Sequence, residues 1–243
     1  MLKVSLMRRL VCVFAITIAL GAAKTASADP ILPGFDLFNT RPGTFHIIPG
    51  VGMVAFTGGP PIVLGTNTDT IVQRLQGVGT LPIDGIATIE IVLKELSLQS
   101  TAPVNINGTF FNLVATALPD QALGSMTIVQ DDVNGGRFTS TLPVGVLLTF
   151  MPVEGGMPFS MNFTTVLMST CQWSHTPPPN YPTPPNFPSG NFFVVGQCIE
   201  MAPTEVHVVE AAQTPEPVTL LLLASGLAGL AGIGRKTKSR KSS

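Results

Sequence analysis

Charged side chains are scarce in this chain. They make up 11% of its 243 residues, less than half of the share of about 25% that soluble domains usually have. Uninterrupted helix-forming segments are also rare, because 24 glycines and 22 prolines are spread along the sequence and both residue types break helices. The composition therefore argues against long soluble helices and favours short strands joined by turns.

Basic residues in particular are missing from the middle of the chain. Between positions 29 and 212 the sequence has four basic and thirteen acidic residues, so the net charge of this span is about −9 with neutral histidines. A surface of this charge repels polyanions. We therefore expect no nucleic-acid partner, and at most weak attraction of divalent cations or basic partners.

The sequence also lacks the common motifs of catalysis and metal binding. The three histidines, His46, His175 and His207, lie far apart, and none belongs to an H-E-x-x-H motif. There is no G-x-S-x-G nucleophile elbow and no phosphate-binding glycine loop. We predict no catalytic residue, no metal and no cofactor, and hence a protein that is not an enzyme.

The first 28 residues have the pattern of a secretory signal peptide. Three basic residues precede position 10, the apolar stretch Leu10–Ala23 follows, and Ala26-Ser27-Ala28 matches a signal peptidase cleavage site. Cleavage after Ala28 would start the mature chain at Asp29. Signal peptidase is thus an expected processing partner, and export is the expected route.

The last 31 residues, 213–243, have a different pattern. The apolar run Val218–Ile233 predicts a transmembrane helix over 218–234, since it spans roughly 24 Å at ~1.5 Å per residue. Basic residues follow this run and predict a cytoplasmic end that stops transfer. They are Arg235, Lys236, Lys238, Arg240 and Lys241.

Pro215-Glu216-Pro217 immediately precedes this apolar run. The motif, the apolar helix and the short basic end, in this order, resemble the PEP-CTERM sorting domain. The resemblance implies a Gram-negative source and recognition by exosortase, a membrane protease that processes the chain near the motif. It further implies a final place at the cell surface or outside the cell, associated with extracellular polysaccharide and biofilm matrix. It carries no information on what the span 29–212 does.

The span 29–212 is predicted to be one all-β domain with a β-sandwich or jelly-roll-like fold, because about ten strand-like runs are separated by turn residues. A mixed β fold with one short helix is the alternative. The runs lie at 44–48, 51–56, 86–98, 104–115, 125–130, 137–141, 144–150, 161–168, 191–200 and 205–209.

A proline-rich segment over 176–188 interrupts this pattern with seven prolines. It predicts an extended polyproline or stiff surface loop. Cys171 and Cys198 bracket the segment, and Cys12 would leave with the signal peptide. An even pair of cysteines in an oxidising compartment predicts a disulfide, with two buried thiols as the alternative.

Two local patterns leave a binding function open. Asp131, Asp132 and Asn134 resemble a fragment of a calcium loop, but the sequence Asp131–Gly136 fits a hairpin turn better because the distal ligands are missing. The aromatic residues of the proline-rich region could stack on sugar rings, although packing on prolines is the commoner role. They are Trp173, Tyr181 and Phe187.

Three functions are therefore considered. The first is an exported surface or matrix protein without catalytic activity. The second is a carbohydrate-binding module of the matrix. The third is a secreted hydrolase, which would need carboxylates such as Glu90, Glu95 or Glu154 to converge in one cleft.

Overall fold

The computed structural model of the chain describes residues 28–214. The predicted signal peptide with Ala26, the motif Pro215-Glu216-Pro217, the transmembrane helix over 218–234 and the basic residues at 235–241 lie outside this part, and Ala28 is its first, buried residue. In the described part, no helix has the length and apolar character needed to cross a membrane.

Residues 28–214 form an all-β fold, which confirms the predicted class. The strands of this part are β1 (Gly34–Thr40), β2 (Phe45–Ile48), β3 (Gly52–Gly58), β4 (Thr70–Arg74), β5 (Ile86–Ser100), β6 (Val104–Ile106), β7 (Thr109–Ala117), β8 (Gly124–Asp132), β9 (Gly135–Pro152), β10 (Phe159–Ser174), β11 (Phe193–Val195), β12 (Gln197–Ala202) and β13 (Glu205–Ala211).

Eight of these strands close into an antiparallel barrel. Around the ring, the order is β1, β4, β5, β8, β9, β10, β12 and β13, and β13 pairs with β1 to complete it. The other strands extend this sheet: β2 and β3 bridge β13 to β5, β7 bridges β5 to β9, β6 pairs with β7, and β11 pairs with β10.

The predicted β-sandwich or jelly-roll-like arrangement is therefore replaced by one continuous closed sheet. Its physical basis is the length of β9 and β10, which have 18 and 16 residues. A strand of this length can pair with different neighbours along its two halves. The first half of β9 pairs with β8 and the second half with β7, so the strands branch from one sheet and do not separate into two.

The barrel interior is filled by aliphatic and aromatic side chains. Leu113, Ile128, Leu148 and Phe150 are almost completely buried there. Their strands alternate inward apolar and outward polar residues, as the two-residue repeat of a strand requires. A second, smaller cluster of Leu37, Val63, Ile71 and Ala212 lies outside this core.

The predicted disulfide is confirmed. Cys171 in β10 and Cys198 in β12 are bonded, with their Cα atoms 5.4 Å apart. The proline-rich segment between them contains no strand from 176 to 192, in agreement with the predicted loop. Phe187 packs edge-on against Phe35, and Tyr181 packs edge-on against Phe193, so the loop is anchored on the barrel wall.

A buried ion pair holds the end of this loop. Arg74 of β4 is completely buried and pairs with Asp36 of β1. The same guanidinium donates to the carbonyl oxygen of Ser189 and lies 4.4 Å from the ring centre of Phe192. Gly34 fits against this contact, because a methyl group on it would come 2.6 Å from the Ser189 carbonyl.

We predict that Gly34→Ala lowers the free energy of unfolding by about 2 kcal/mol, because the backbone of the loop must move to accept the methyl group. Gly79→Ala is the matched control, since no atom lies within 4 Å of its added methyl group. It should leave stability unchanged or slightly raised. Urea denaturation of both variants measures the difference, and equal stability would contradict this view of the Gly34 contact.

Candidate functional site

A cluster of charged residues is buried where the barrel closes. The turn between β12 and β13 places Glu200 of β12 directly opposite His207 of β13. The two side chains meet with 3.1 Å between Glu200 Oε2 and His207 Nδ1. In the same way, Glu205 of β13 is the cross-strand partner of His46 in β2, and their side chains are 2.7 Å apart.

The hydrogen bonds continue from His207 across the seam to β1. His207 Nε2 lies 3.1 Å from Thr40 Oγ1, and this hydroxyl donates to Asp69 Oδ1 at 2.7 Å. Asp69 also accepts from the Thr40 backbone N–H at 2.7 Å and from the Thr70 hydroxyl at 2.9 Å. Because Thr40 gives its own proton to Asp69, His207 Nε2 must donate to Thr40, and the chain is complete when the imidazole carries both protons.

The electrostatics of the cluster agree with a protonated imidazole. Burial alone lowers the pKa of His207, but the hydrogen bond and the charge of Glu200, together with the charges of Asp69 and Glu205, outweigh it and raise this pKa above 6.5. Burial also raises the pKa of Asp69, against the hydrogen bonds from Thr40 and Thr70. A cation between two carboxylates is thus favoured in the barrel wall.

A partly open cavity borders this cluster. Its volume is about 50 Å³, and aliphatic side chains such as Leu93, Leu98 and Leu148 form most of its wall. His46 and Glu205 also line it, and the His46 ring stacks on Phe163 with 4.4 Å between ring centres. Because this lining is mostly apolar, ordered water finds hydrogen-bond partners only where the cavity meets the charged cluster.

The arrangement Glu200–His207–Thr40 has the residue types of a nucleophile with its base and orienting acid. Its hydrogen bonds give it a different role in the barrel wall. The Thr40 hydroxyl lies within β1, is nearly inaccessible to solvent and is committed to Asp69. The group therefore acts as an ionic clasp across the strands that close the barrel.

The residues that the sequence suggested for sugar binding or hydrolysis lie outside this charged cluster. Trp173 is 2% exposed and stacks on Phe192 at 4.8 Å, so its ring offers no surface to a sugar. Tyr181 and Phe187 pack against the barrel, as described above. The carboxylates Glu90, Glu95 and Glu154 are exposed on β5 and in the β9–β10 turn, and none of them lines the cavity.

The segment Asp131–Gly136 is the predicted hairpin turn between β8 and β9. Asp131 pairs with Arg137, and Asp132 Oδ1 accepts the backbone N–H of Asn134 at 2.7 Å. These carboxylates are used by the turn itself. Across residues 28–214, no group of three or more histidine, cysteine or acidic side chains is arranged to hold a metal ion.

No family model, curated protein or solved structure matches this chain.

His175, the remaining histidine, is separate from the clasp. Its Nδ1 lies 3.1 Å from the Asn191 carbonyl oxygen, and its ring packs edge-on against Trp173. The pairing of Glu200 with His207 has one local sequence signal, a hairpin turn at Pro203-Thr204 that sets these two residues opposite each other. The contribution of Asp69 and Thr40 has no comparable local signal.

We predict that His207→Gln lowers the free energy of unfolding near pH 6 by about 3 kcal/mol, because it leaves buried carboxylates without their cation. The folded pKa of His207 lies above its unfolded value. Its stabilising effect is therefore complete below pH 6.5 and is lost as the pH rises through the folded pKa. Urea denaturation from pH 6 to 9 measures the loss in the wild type and its absence in the variant.

The matched control is His175→Gln, which removes a histidine outside the clasp and should keep the wild-type decline above pH 6.5. If the free energy of unfolding of His207→Gln falls above pH 6.5 as it does in the wild type, another group causes the fall. That result would contradict the role assigned to His207.

Proposed function

We propose that this chain is an exported bacterial protein that exosortase sorts to the cell surface or the extracellular matrix, and that its domain has no catalytic role. Residues 1–28 direct export and are removed by signal peptidase. The helix over 218–234 then holds the domain on the periplasmic side of the inner membrane. Processing at Pro215-Glu216-Pro217 transfers the domain to the surface or the biofilm matrix.

The observation that carries this proposal is the disulfide between Cys171 and Cys198. Disulfides persist in oxidising compartments and are rare in the cytosol. The bond closes a loop of 27 residues in sequence that packs on the barrel. A domain that is stabilised in this way is suited to folding after export, which is the route that both ends of the sequence indicate.

The surface chemistry supports a matrix role. The domain carries a net charge of about −9, and its acidic side chains keep it from associating with acidic polymers without specific contacts. The closed ring of strands also leaves few free edges, which limits aggregation by edge pairing. Both properties favour a domain that stays dispersed among polymers outside the cell.

The carbohydrate-binding and hydrolase alternatives find less support. The aromatic rings considered for sugar stacking are packed in the barrel or the proline-rich loop. The carboxylates considered for hydrolysis are exposed and do not share the cavity. A matrix polysaccharide would therefore bind through other parts of the surface.

Replacing Pro215, Glu216 and Pro217 by alanine should block processing, because the motif is the part of the tag that a generic membrane anchor lacks. In a host with exosortase, we expect the variant to accumulate in the membrane at a higher mass than the wild type. Mass spectrometry of the intact chain measures this. Glu154→Ala, in an exposed turn, is the control and should be processed normally. Normal processing of the triple variant would contradict the proposal.

Replacing Cys171 and Cys198 together by alanine should lower the free energy of unfolding by about 3.5 kcal/mol, since a closed loop of this length restricts the unfolded chain. Guanidinium denaturation compares this variant with the oxidised wild type. Reduced wild type should behave like the double variant. A double variant as stable as the oxidised protein would remove the disulfide as a support for export.

A further inference from the structure

Both ends of the described chain reach the same end of the barrel. At the N-terminal side, the backbone N–H of Leu32 donates to the Gly190 carbonyl oxygen at 3.2 Å. At the C-terminal side, the backbone N–H of Thr214 donates to the Asn180 carbonyl oxygen at 2.8 Å. Both acceptors belong to the loop 176–192. The chain therefore enters and leaves the barrel beside this loop.

A second loop meets the chain at the same place. Asn67 lies in the connection 59–69 between β3 and β4. Its backbone N–H donates to the Gln213 carbonyl oxygen at 3.2 Å, and its Oδ1 accepts the Gln213 N–H at 2.6 Å. Beneath these bonds, Val63 and Ala212 are buried in the small cluster outside the barrel core. We call the surface formed by 59–68, 176–192 and 212–214 the exit face.

The exit face carries no charge. None of its residues is aspartate, glutamate, lysine or arginine; Asp69, which follows 59–68, is buried, and the exposed Asp29 lies at the N-terminal border of the face. At its edge, Val63–Thr66 forms a tight turn in which Gly65 has a φ of 77°, and the Thr66 N–H donates to the Val63 carbonyl oxygen at 3.2 Å. This turn projects Leu64, whose side chain is 100% exposed. No other large hydrophobic side chain in residues 28–214 is as exposed as Leu64.

The length of the chain beyond Thr214 identifies what the exit face meets. Val218 begins the apolar run, so four residue steps separate it from Thr214. A fully extended chain covers at most about 14 Å over that distance. The headgroup region between the hydrocarbon and the water is roughly 5–8 Å thick on each side of a bilayer. While the helix spans the membrane, the exit face is thus held at the lipid surface.

We propose that the exit face seats on the periplasmic leaflet of the inner membrane while the chain is anchored, with Leu64 inserted among the lipid chains. This inference rests on the proposed function, since it requires the helix over 218–234. Inserting Leu64 removes its apolar surface from water, and no charged group of the exit face has to lose its hydration. The acidic remainder of the barrel then points away from the membrane.

The test uses the mature chain, residues 29–243, in phosphatidylcholine vesicles, with tryptophan fluorescence as the readout. Leu64→Trp places a reporter on the exit face. Met157→Trp is the matched control, because Met157 is 90% exposed but lies in the turn that precedes β10, while the loop 176–192 follows the end of that strand. The 16 residues of β10 separate the two places by roughly 50 Å along the strand. The native Trp173 is buried and provides the common background.

In vesicles with brominated acyl chains, we expect the Leu64→Trp reporter to lose about half of its emission and to shift to shorter wavelength. Met157→Trp should show the quenching of the wild type and no more. If both variants float with the vesicles but show equal quenching and equal emission wavelength, the exit face does not contact the lipid. That result would overturn this inference and leave the anchored export route intact. Failure of the chain to float with the vesicles would instead overturn the anchor, and with it both proposals.

A second measurement does not depend on a substitution. Hydrogen exchange of the wild-type chain should be slower for backbone amides in 59–68 in vesicles than in the same chain after cleavage between the domain and the helix. Exchange in the 153–158 turn should not differ between the two states. Slowing in 59–68 that appears only on adding polysaccharide or exosortase would assign the exit face to that partner and contradict a lipid contact.

Discussion

Closure of the barrel depends on a short ladder between the first and the last strand. β1 and β13 pair through only three residue pairs, Phe38 with Ala211, Asn39 with Glu210 and Thr40 with Val209. The other strands of the ring are paired through their own ladders, and the ring closes where these two meet. The buried chain of Glu200, His207, Thr40 and Asp69 crosses this ladder, so its charges stabilise one of the two shortest ladders of the ring; the other, between β10 and β12, has two residue pairs. A buried group of this kind specifies one register, because a shifted strand would leave its charges unpaired.

The parts of the fold that could be predicted from the sequence are those with local signals. The run 86–98 alternates apolar and polar residues and corresponds to β5. The turn Asp131–Gly136 joins β8 to β9 through glycines and acidic residues that suit a hairpin. The disulfide followed from counting cysteines. The strand boundaries still differ from the predicted ones. The predicted run 104–115 forms two strands, because Asn107 and Gly108 both have positive φ and turn the chain back.

The strands β1 and β4 could not be predicted in this way. Almost every residue of β1 is buried, so its sequence shows no alternation, and it contains a buried aspartate and asparagine. β4 ends in Arg74, whose charge is compensated by Asp36, 38 positions earlier. From the sequence alone a charged residue is expected to be exposed, because a partner that lies far away in the chain is not apparent. The ionic clasp has the same property, since Thr40 and His207 are 167 positions apart and only the closed ring brings them together.

The adjacency of the two end strands also fixes the order in which the domain can mature. A chain that crosses a membrane from its N-terminus delivers β1 first and β13 last, so β1 has one of its two neighbours missing until residue 211 has emerged. Cys171 and Cys198 both emerge before β13, and the covalent bond can precede ring closure. On the proposed export route, a chain stalled in the channel would stay an open, protease-sensitive sheet and only a fully delivered chain would become resistant, so that native structure would report complete translocation.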